Sequence, residues 1–254
     1  MMQLNGKVAI ITGATGGIGF AVARRLGQDG FTVVLNGIND EDGAKRVEEL
    51  KAEGITAEYC GFDVTKEEAV TENIIRIGEK YGKIDALINN AGGLGGRSRF
   101  EDMTTEFYRF VMALNLDSVF FASRAAIPFL KKGDHPSIIN YTSNAAWNAG
   151  GPGAGIYGTS KAGVHTITRA LAKDLAEYGI RVNAVSPGTI DTPFHKQIKS
   201  TKPEVFASWA NNIMLGRLGQ PEDVAGVVSF LVSKDAAFLT AETIQVGGGQ
   251  ALGI

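Results

Sequence analysis

Seven short runs of apolar, mainly β-branched residues recur along the chain, and stretches with helical periodicity separate them. Short apolar runs bounded by turn residues are typical of strands buried on both faces, whereas a 3.6-residue apolar period indicates a helix. The runs predict strands over residues 7–12, 31–36, 56–62, 84–88, 137–141, 181–185 and 243–246. Helical patterns include residues 41–53, a segment from residue 156 onward, and residues 221–232. This alternation predicts an α/β fold, a doubly wound parallel sheet with helices on both faces.

Composition indicates a single globular domain. With 254 residues, of which 44% are hydrophobic, the chain is large enough for one such sheet, so we expect one domain over residues 1–254. A net charge of −2, with acids and bases interspersed, predicts no binding to nucleic acid or to a membrane surface. The N-terminus lacks a signal pattern and no apolar run approaches the length that spans a bilayer, which predicts a cytoplasmic protein. The single cysteine, Cys60, is expected in the core.

A glycine-rich turn follows the first predicted strand. Gly13, Gly17 and Gly19 lie between that strand and a helical pattern that begins at Phe20. Glycines at such a turn let the backbone approach a pyrophosphate, whose charge is met by N–H groups at the helix start. The turn therefore predicts a dinucleotide site, with a glycine turn that binds no ligand as the alternative.

Tyr157 and Lys161 are four residues apart in a predicted helix, so their side chains share one face. Pairs at this spacing also occur by chance in most chains of this length. An adjacent ammonium and the positive end of the helix dipole both favour the phenolate, so we expect the pKa of Tyr157 to move toward the working pH. Ser143, at the end of an apolar run, is expected to hydrogen-bond the substrate oxygen whose proton Tyr157 gives or takes.

Together these segments resemble the classical short-chain dehydrogenase/reductase family, from one end of the chain to the other. The motifs are T-G-A-T-G-G-I-G, D-V, N-N-A-G, Ser143, Y-G-T-S-K and V-N-A-V-S-P-G-T-I-D-T. The resemblance implies a Rossmann-type fold and an NAD(P)-dependent oxidoreductase acting on CH–OH or C=O groups, with no metal. It also implies a catalytic set of Asn115, Ser143, Tyr157 and Lys161, in which Lys161 binds the nicotinamide ribose and Asn115 holds a proton-relay water.

The resemblance also assigns the cofactor contacts, which fall mainly in turns that follow strands. They are Gly13, Thr15, Gly16, Gly17, Ile18, Gly19, Asn36, Gly37, Ile38, Asp63, Val64, Asn90, Ala91, Gly92, Tyr157, Lys161, Pro187, Gly188, Ile190 and Thr192.

Two places depart from the family pattern. The second strand ends in Asn36, Gly37 and Ile38, with neither the carboxylate that marks NAD preference nor a basic residue to receive a phosphate. Acidic residues at 40–42 follow and would repel a 2′-phosphate, so we expect NAD(H) to be favoured, with NADP(H) as the alternative. Gly247 replaces an acidic residue in a region that commonly packs at a subunit contact. The expected assembly is a homotetramer, and this departure concerns its subunit contacts rather than the fold.

Three long loops after strands are expected to form the substrate site. Arg97 is suited to grip a carboxylate, the glycines around residues 150–155 offer backbone N–H groups to hydroxyls, and His195 is a hydrogen-bond donor. The expected substrate contacts are Arg97, Ser143, Asn144, Gly150, Gly151 and His195.

These loops resemble locally the reductases of alginate degradation that convert 4-deoxy-5-hexoseulose uronate to 2-keto-3-deoxygluconate. That likeness implies a small-molecule substrate that is an anionic, sugar-derived carbonyl compound. The alternatives are a 3-oxoacyl-[acyl-carrier-protein] reductase, another sugar or polyol dehydrogenase, or, in a different class, a non-catalytic protein that senses dinucleotides.

Overall fold

The computed structural model describes residues 6–250, which form a parallel sheet of seven strands. The strands are β1 Lys7–Ile11, β2 Phe31–Gly37, β3 Ala57–Gly61, β4 Ala86–Asn89, β5 Ser137–Tyr141, β6 Arg181–Pro187 and β7 Thr243–Val246. Their order in the sheet is β3-β2-β1-β4-β5-β6-β7. The predicted doubly wound α/β fold is therefore confirmed, and each predicted strand overlaps an observed one.

Helices cover both faces of the sheet. Within residues 6–250 the α-helices are α1 Gly17–Gln28, α2 Asp40–Ala52, α3 Glu67–Tyr81, α4 Thr105–Met112, α5 Ser118–Leu130, α6 Ala145–Asn148, α7 Gly155–Leu175, α8 Lys196–Thr201, α9 Pro203–Ser208 and α10 Pro221–Val232. A π-helical turn, Ala113–Asp117, joins α4 to α5. Short 3₁₀ turns lie at Phe100–Asp102, Ala176–Tyr178, Pro193–His195, Trp209–Asn212 and Lys234–Ala236.

The core has two halves, one on each face of the sheet. Alternate strand residues point to opposite faces, so Ile11 and Leu35 pack with α1 and α10, whereas Ile10 and Val34 pack with α3 and α5. Because both faces are covered, the central strands are apolar at nearly every position, which is why they read as continuous runs in the sequence.

One helical segment is longer and more apolar than the sequence pattern predicted. Thr105–Leu130 is continuous through the π-turn, and its length and mean hydropathy of 1.4 would suffice to cross a membrane. About 44% of its most apolar window is buried inside the fold, and Ala122, Ala126 and Leu130 belong to the core on the α3 side. Packing of this kind accounts for the apolar residues at the buried positions, whereas Tyr108, Phe110 and Phe120 are exposed.

The strand order reverses at β1, which lies between β2 and β4. In open parallel sheets such a reversal leaves a crevice outside the carboxyl ends of the strands. The glycine turn follows β1 and Asn90 follows β4, so both border this crevice.

Candidate active site

A cavity of about 810 Å³ opens at the carboxyl ends of the strands. Its wall contains residues from the turns after β1, β4, β5 and β6, including Gly13, Asn90, Ser143 and Gly188. A volume of this size is within the usual range of cofactor and ligand sites, roughly 300–1,000 Å³.

The glycine turn is shaped as a phosphate cradle. Gly13 and Gly17 have φ angles of +63° and +53°, a region that glycine adopts without strain. A Cβ atom at Gly19 would lie 2.4 Å from the carbonyl oxygen of Gly13. Asn90 supports the turn from β4, since its Nδ2 donates to the carbonyl oxygens of Thr12 and Gly13 at 2.9 and 3.0 Å. The N-terminus of α1 thus faces the cavity with room for a pyrophosphate, so these residues fit a dinucleotide.

Three residues of the predicted catalytic set meet in the cavity wall. Tyr157 is the third residue of α7, Lys161 lies one turn further along, and Ser143 follows β5. The Lys161 Nζ atom is 5.8 Å from the centroid of the Tyr157 ring and donates to the carbonyl oxygen of Tyr141 at 2.8 Å. The helix therefore places the phenol and the ammonium on one face, as the spacing predicts.

Burial changes the acidity of both groups. It raises the pKa of Tyr157, although the hydrogen bond with the Ser143 hydroxyl acts in the opposite direction. Burial also lowers the pKa of Lys161 to about 8. The predicted fall in the Tyr157 pKa is therefore wrong for this structure, because desolvation of the phenolate outweighs the favourable interactions. At neutral pH the phenol carries its proton and can act as an acid.

Asn115 lies in the π-turn and is fully buried. Its Oδ1 accepts a hydrogen bond from the Gly93 N–H at 2.9 Å, and its Nδ2 donates to the carbonyl oxygens of Gly93 and Val111 at 2.8 and 2.9 Å. A Cβ atom at Gly92 would lie 2.7 Å from Asn115 Oδ1 and 2.9 Å from Lys161 Nζ. Asn115 and Lys161 thus approach each other around Gly92, and a π-turn at this point is typical of functional sites.

The end of β2 is built differently from what the sequence suggests. Asn36 is buried, and its Nδ2 donates to the Phe62 carbonyl oxygen at 2.9 Å while its Oδ1 accepts from the Gly13 N–H at 3.3 Å. The Asn36 side chain, predicted as a cofactor contact, therefore ties β2 to β3 and to the glycine turn. Ile38 is 82% exposed at the same end of the strand.

Most of the other predicted cofactor contacts line the cavity. Asp63 does not, and its Oδ1 accepts hydrogen bonds from the Thr65 N–H and hydroxyl at 2.9 and 2.8 Å, which closes the turn after β3. The predicted contacts outside the cavity wall are Thr15, Asn36, Gly37, Ile38, Asp63, Val64 and Ala91.

The predicted substrate contacts all line the cavity, namely Arg97, Ser143, Asn144, Gly150, Gly151 and His195. Arg97 Nη1 donates to the Pro152 carbonyl oxygen at 2.9 Å, and the Ser98 N–H donates to the Gly153 carbonyl oxygen at 3.0 Å. These bonds join the loop after β4 to the loop that precedes α7, so the two loops form one wall.

His195 lines the cavity and contacts three aromatic rings. Its ring centroid is 4.9, 5.7 and 5.3 Å from those of Phe194, Phe206 and Trp209. Burial lowers the pKa of His195, and Asp191 acts in the opposite direction. The imidazole is therefore neutral at pH 7, with one N–H to donate.

Gln250 and Trp147 are among the wall residues that the sequence did not predict. Gln250 Oε1 accepts from the Thr189 N–H at 2.8 Å and from Asn144 Nδ2 at 3.4 Å, so the end of the described chain closes the cavity. Trp147 also lines the cavity, and the signal that could have revealed it is a large aromatic residue in a loop of small and polar ones. Among residues 6–250, no group of three or more His, Cys, Asp or Glu could hold a metal.

Comparison with known proteins agrees with this architecture. The family profile described as "Enoyl-(Acyl carrier protein) reductase" matches residues 13–251. The 3-oxoacyl-[acyl-carrier-protein] reductase of Thermotoga maritima is 38% identical over 250 residues, which cover 98% of this chain and 99% of that protein.

Two solved structures superpose over nearly the whole chain. One, from Agrobacterium tumefaciens, is provisionally named a gluconate dehydrogenase, with a TM-score of 0.90, 30% identity and coverage of 98% of this chain and 97% of the other. The second is an actinorhodin polyketide ketoreductase with NADPH, with a TM-score of 0.91, 32% identity and 99% coverage of both chains. This chain therefore belongs to the short-chain dehydrogenase/reductase family and is an NAD(P)-dependent oxidoreductase acting on CH–OH or C=O groups.

Proposed function

We propose that this enzyme transfers a hydride between NAD(H) and a small anionic, sugar-derived carbonyl compound, a keto-deoxy uronate such as 4-deoxy-5-hexoseulose uronate. The observation that carries the proposal is the position of Arg97 in the cavity wall. Its bond to Pro152 fixes one Nη1 donor and leaves other guanidinium N–H groups for a carboxylate. Gly150 and Gly151 beside it present backbone rather than apolar side chains, which suits a hydroxylated substrate.

The proposed chemistry assigns a separate task to each residue of the catalytic set. The nicotinamide cofactor supplies the hydride in reduction and accepts it in oxidation. In reduction Tyr157 donates its phenol proton to the substrate oxygen, and Ser143 holds that oxygen by a hydrogen bond. Lys161 stabilises the phenolate that is left, while Asn115 keeps the backbone at Gly93 in place beside it. Because burial raises its pKa, Tyr157 carries its proton at neutral pH, and this is the form that donates in reduction.

We propose a preference for NAD(H) over NADP(H). The guanidinium beside the glycine turn, that of Arg46, donates from Nε to the Thr15 carbonyl oxygen at 3.1 Å and from Nη1 to Glu49 at 2.8 Å. Its charge is thus partly neutralised. Ile38 carries no charge that could bind a 2′-phosphate. Three carboxylates at residues 40–42 begin α2 close to this end of β2 and repel a further dianion. The NADPH in the similar ketoreductase makes NADP(H) the alternative.

A 3-oxoacyl-[acyl-carrier-protein] reductase is the second candidate, because a reductase of that name is 38% identical to this chain. The similar structure provisionally named a gluconate dehydrogenase supports a sugar acid instead. An acyl chain would gain most from an apolar channel, whereas Arg97, Gly150 and Gly151 make their part of the wall polar.

Steady-state kinetics with three substrates test the proposal. We expect a higher kcat/KM for the keto-deoxy uronate than for an acetoacetyl thioester or for diacetyl, a neutral ketone. Arg97→Ala should raise KM for the uronate by roughly tenfold, or about 1.4 kcal/mol, with a smaller effect on diacetyl. Arg99→Ala is the matched control, since Arg99 is in the same loop but outside the cavity wall, where it lies 3.9 Å from Glu101. Equal effects of Arg97→Ala on charged and neutral substrates, or a preference for the thioester, would contradict the proposal.

We also propose that the enzyme is a cytoplasmic homotetramer. The exposed aromatic side chains of Tyr108, Phe110 and Phe120 on α4 and α5 support assembly, since another subunit could cover them. Light scattering after size-exclusion chromatography should give four times the chain mass, and cell fractionation tests the location.

A further inference from the structure

An indole side chain stands half-exposed in the cavity wall. Trp147 belongs to α6, the short helix that begins two residues after Ser143, and 54% of its surface is accessible. Gly150 and Gly151, which follow it in the same loop, present only backbone to the cavity, so the indole is the large side chain of this part of the wall. Leaving it in water costs free energy that a bound ligand would recover by covering it.

The indole packs against a histidine. His165 lies one turn beyond Lys161 on α7, and its ring meets that of Trp147 edge-on, with centroids 4.7 Å apart and planes at 70°. Its Nδ1 is 3.0 Å from the Thr243 hydroxyl on β7. The imidazole is thus fixed between a strand and the indole, and burial, with a smaller effect of Arg169, lowers its pKa and keeps it neutral. An indole supported in this way lines the cavity in a defined orientation.

We infer that Trp147 is a specificity-determining residue that stacks against the C–H groups of a hydroxylated carbonyl substrate, and that His165 is its positioning residue. This rests on the proposed function for the carboxylate at Arg97, which lines the same cavity. The electron-rich face of an indole attracts C–H groups polarised by neighbouring hydroxyls, which a sugar-derived chain carries on successive carbons. An acyl chain lacks such polarisation and would respond only to apolar area.

Two variants at residue 147 separate the effect of an aromatic face from that of apolar surface area. Trp147→Phe keeps an aromatic face, whereas Trp147→Leu keeps apolar area and loses the face. We expect Trp147→Leu to raise KM for the keto-deoxy uronate by roughly fivefold with kcat within twofold of the wild type, and Trp147→Phe to stay within about twofold. Tyr178→Leu is the control, because Tyr178 is similarly exposed, at 43%, but is not part of the cavity wall. Equal effects of the Leu and Phe variants would overturn the stacking inference.

A double-mutant cycle tests the role of His165. His165→Ala should raise KM by about threefold in the wild type and have no further effect in Trp147→Leu, because it acts only through the indole. Additive effects, or a change in kcat alone, would overturn the positioning role.

Fluorescence gives a readout that does not require turnover. Trp147 and Trp209 are the two tryptophans of the chain, so Trp209→Phe leaves Trp147 as the single indole. With Tyr157→Phe added to prevent reaction, the uronate should change the Trp147 emission in the presence of NAD⁺, and His165→Ala should diminish that change. Binding without any emission change would overturn the inference. If the uronate is not a substrate but another hydroxylated carbonyl compound shows these dependences, the proposed substrate is wrong and the stacking role of Trp147 is supported.

Discussion

The Lys161 ammonium donates a hydrogen bond to the Tyr141 carbonyl oxygen at 2.8 Å from a position that is almost completely buried. The residue thus bridges α7 and the end of β5 in the cavity wall. Burying a cation disfavours the charged form, which is why its pKa falls to about 8. A buried charge of this kind is costly to the fold, and its place beside Tyr157 fits the catalytic role that we propose for it.

Replacing Lys161 should remove a free-energy cost of folding that depends on pH. Because its folded pKa of about 8 lies below the ordinary 10.5, the unfolded chain binds more protons between these values. The cost of burial is therefore fully present below pH 8 and is lost as pH rises toward 10.5. The free energy of unfolding of Lys161→Met, minus that of the wild type, should fall by about 3 kcal/mol from pH 7 to pH 10.5. Urea unfolding over this range measures it, with Lys173→Met, exposed on the same helix, as a control whose difference stays flat.

Tyr157→Phe should abolish turnover while leaving cofactor affinity within about twofold. The phenol is the proposed proton donor, and general acid catalysis contributes on the order of 10² to 10⁴ in rate. Steady-state kinetics and a cofactor titration separate the two effects. Retention of more than about a tenth of kcat would show that another group protonates the substrate.

Gly19→Ala should weaken cofactor binding. The new Cβ would lie 2.4 Å from the Gly13 carbonyl oxygen and 2.5 Å from Asn90 Nδ2, so the glycine turn must move. We expect the dissociation constant for NAD⁺ to rise at least tenfold, about 1.4 kcal/mol, by calorimetry. Gly226→Ala in α10 is the matched helical control, since its Cβ would meet its nearest neighbour, Arg25 Nη1, at 3.9 Å. An unchanged affinity in Gly19→Ala would mean that this turn does not hold the pyrophosphate.

Ile38→Arg should shift cofactor preference toward NADP(H). The side chain is 82% exposed at the end of β2, so the change should cost little stability while adding a guanidinium that attracts a 2′-phosphate. We expect the ratio of NADPH to NADH affinity to rise at least tenfold, measured by fluorescence titration of each cofactor. Ile75→Arg on α3 adds the same charge at an exposed position elsewhere and should leave the ratio unchanged. A ratio that does not move would place the adenosine ribose away from Ile38.

The fold could be predicted from the sequence because its determinants are local. Strands buried on both faces must be apolar throughout, and helices packed on a sheet must be apolar on one side. Both patterns can therefore be recognised within a short segment of the sequence. The same holds for the glycine turn after β1 and for Tyr157 and Lys161, whose common helix face follows from four-residue spacing. These features were all predicted with nearly correct boundaries.

Tertiary structure decided the properties that depend on residues far apart in the chain. The pKa of Tyr157 is raised because several elements together exclude water from the phenol, which no local pattern records. The sequence predicts Asn36 as a cofactor contact, but its side-chain amide is hydrogen-bonded to the backbone of Phe62 and Gly13. Trp147 contacts His165, which in turn is 3.0 Å from the Thr243 hydroxyl, and neither contact can be read from the sequence. Sequence periodicity reports which way a side chain points from its own backbone, whereas acidity, hydrogen-bond partners and cavity shape depend on what the rest of the fold places around it.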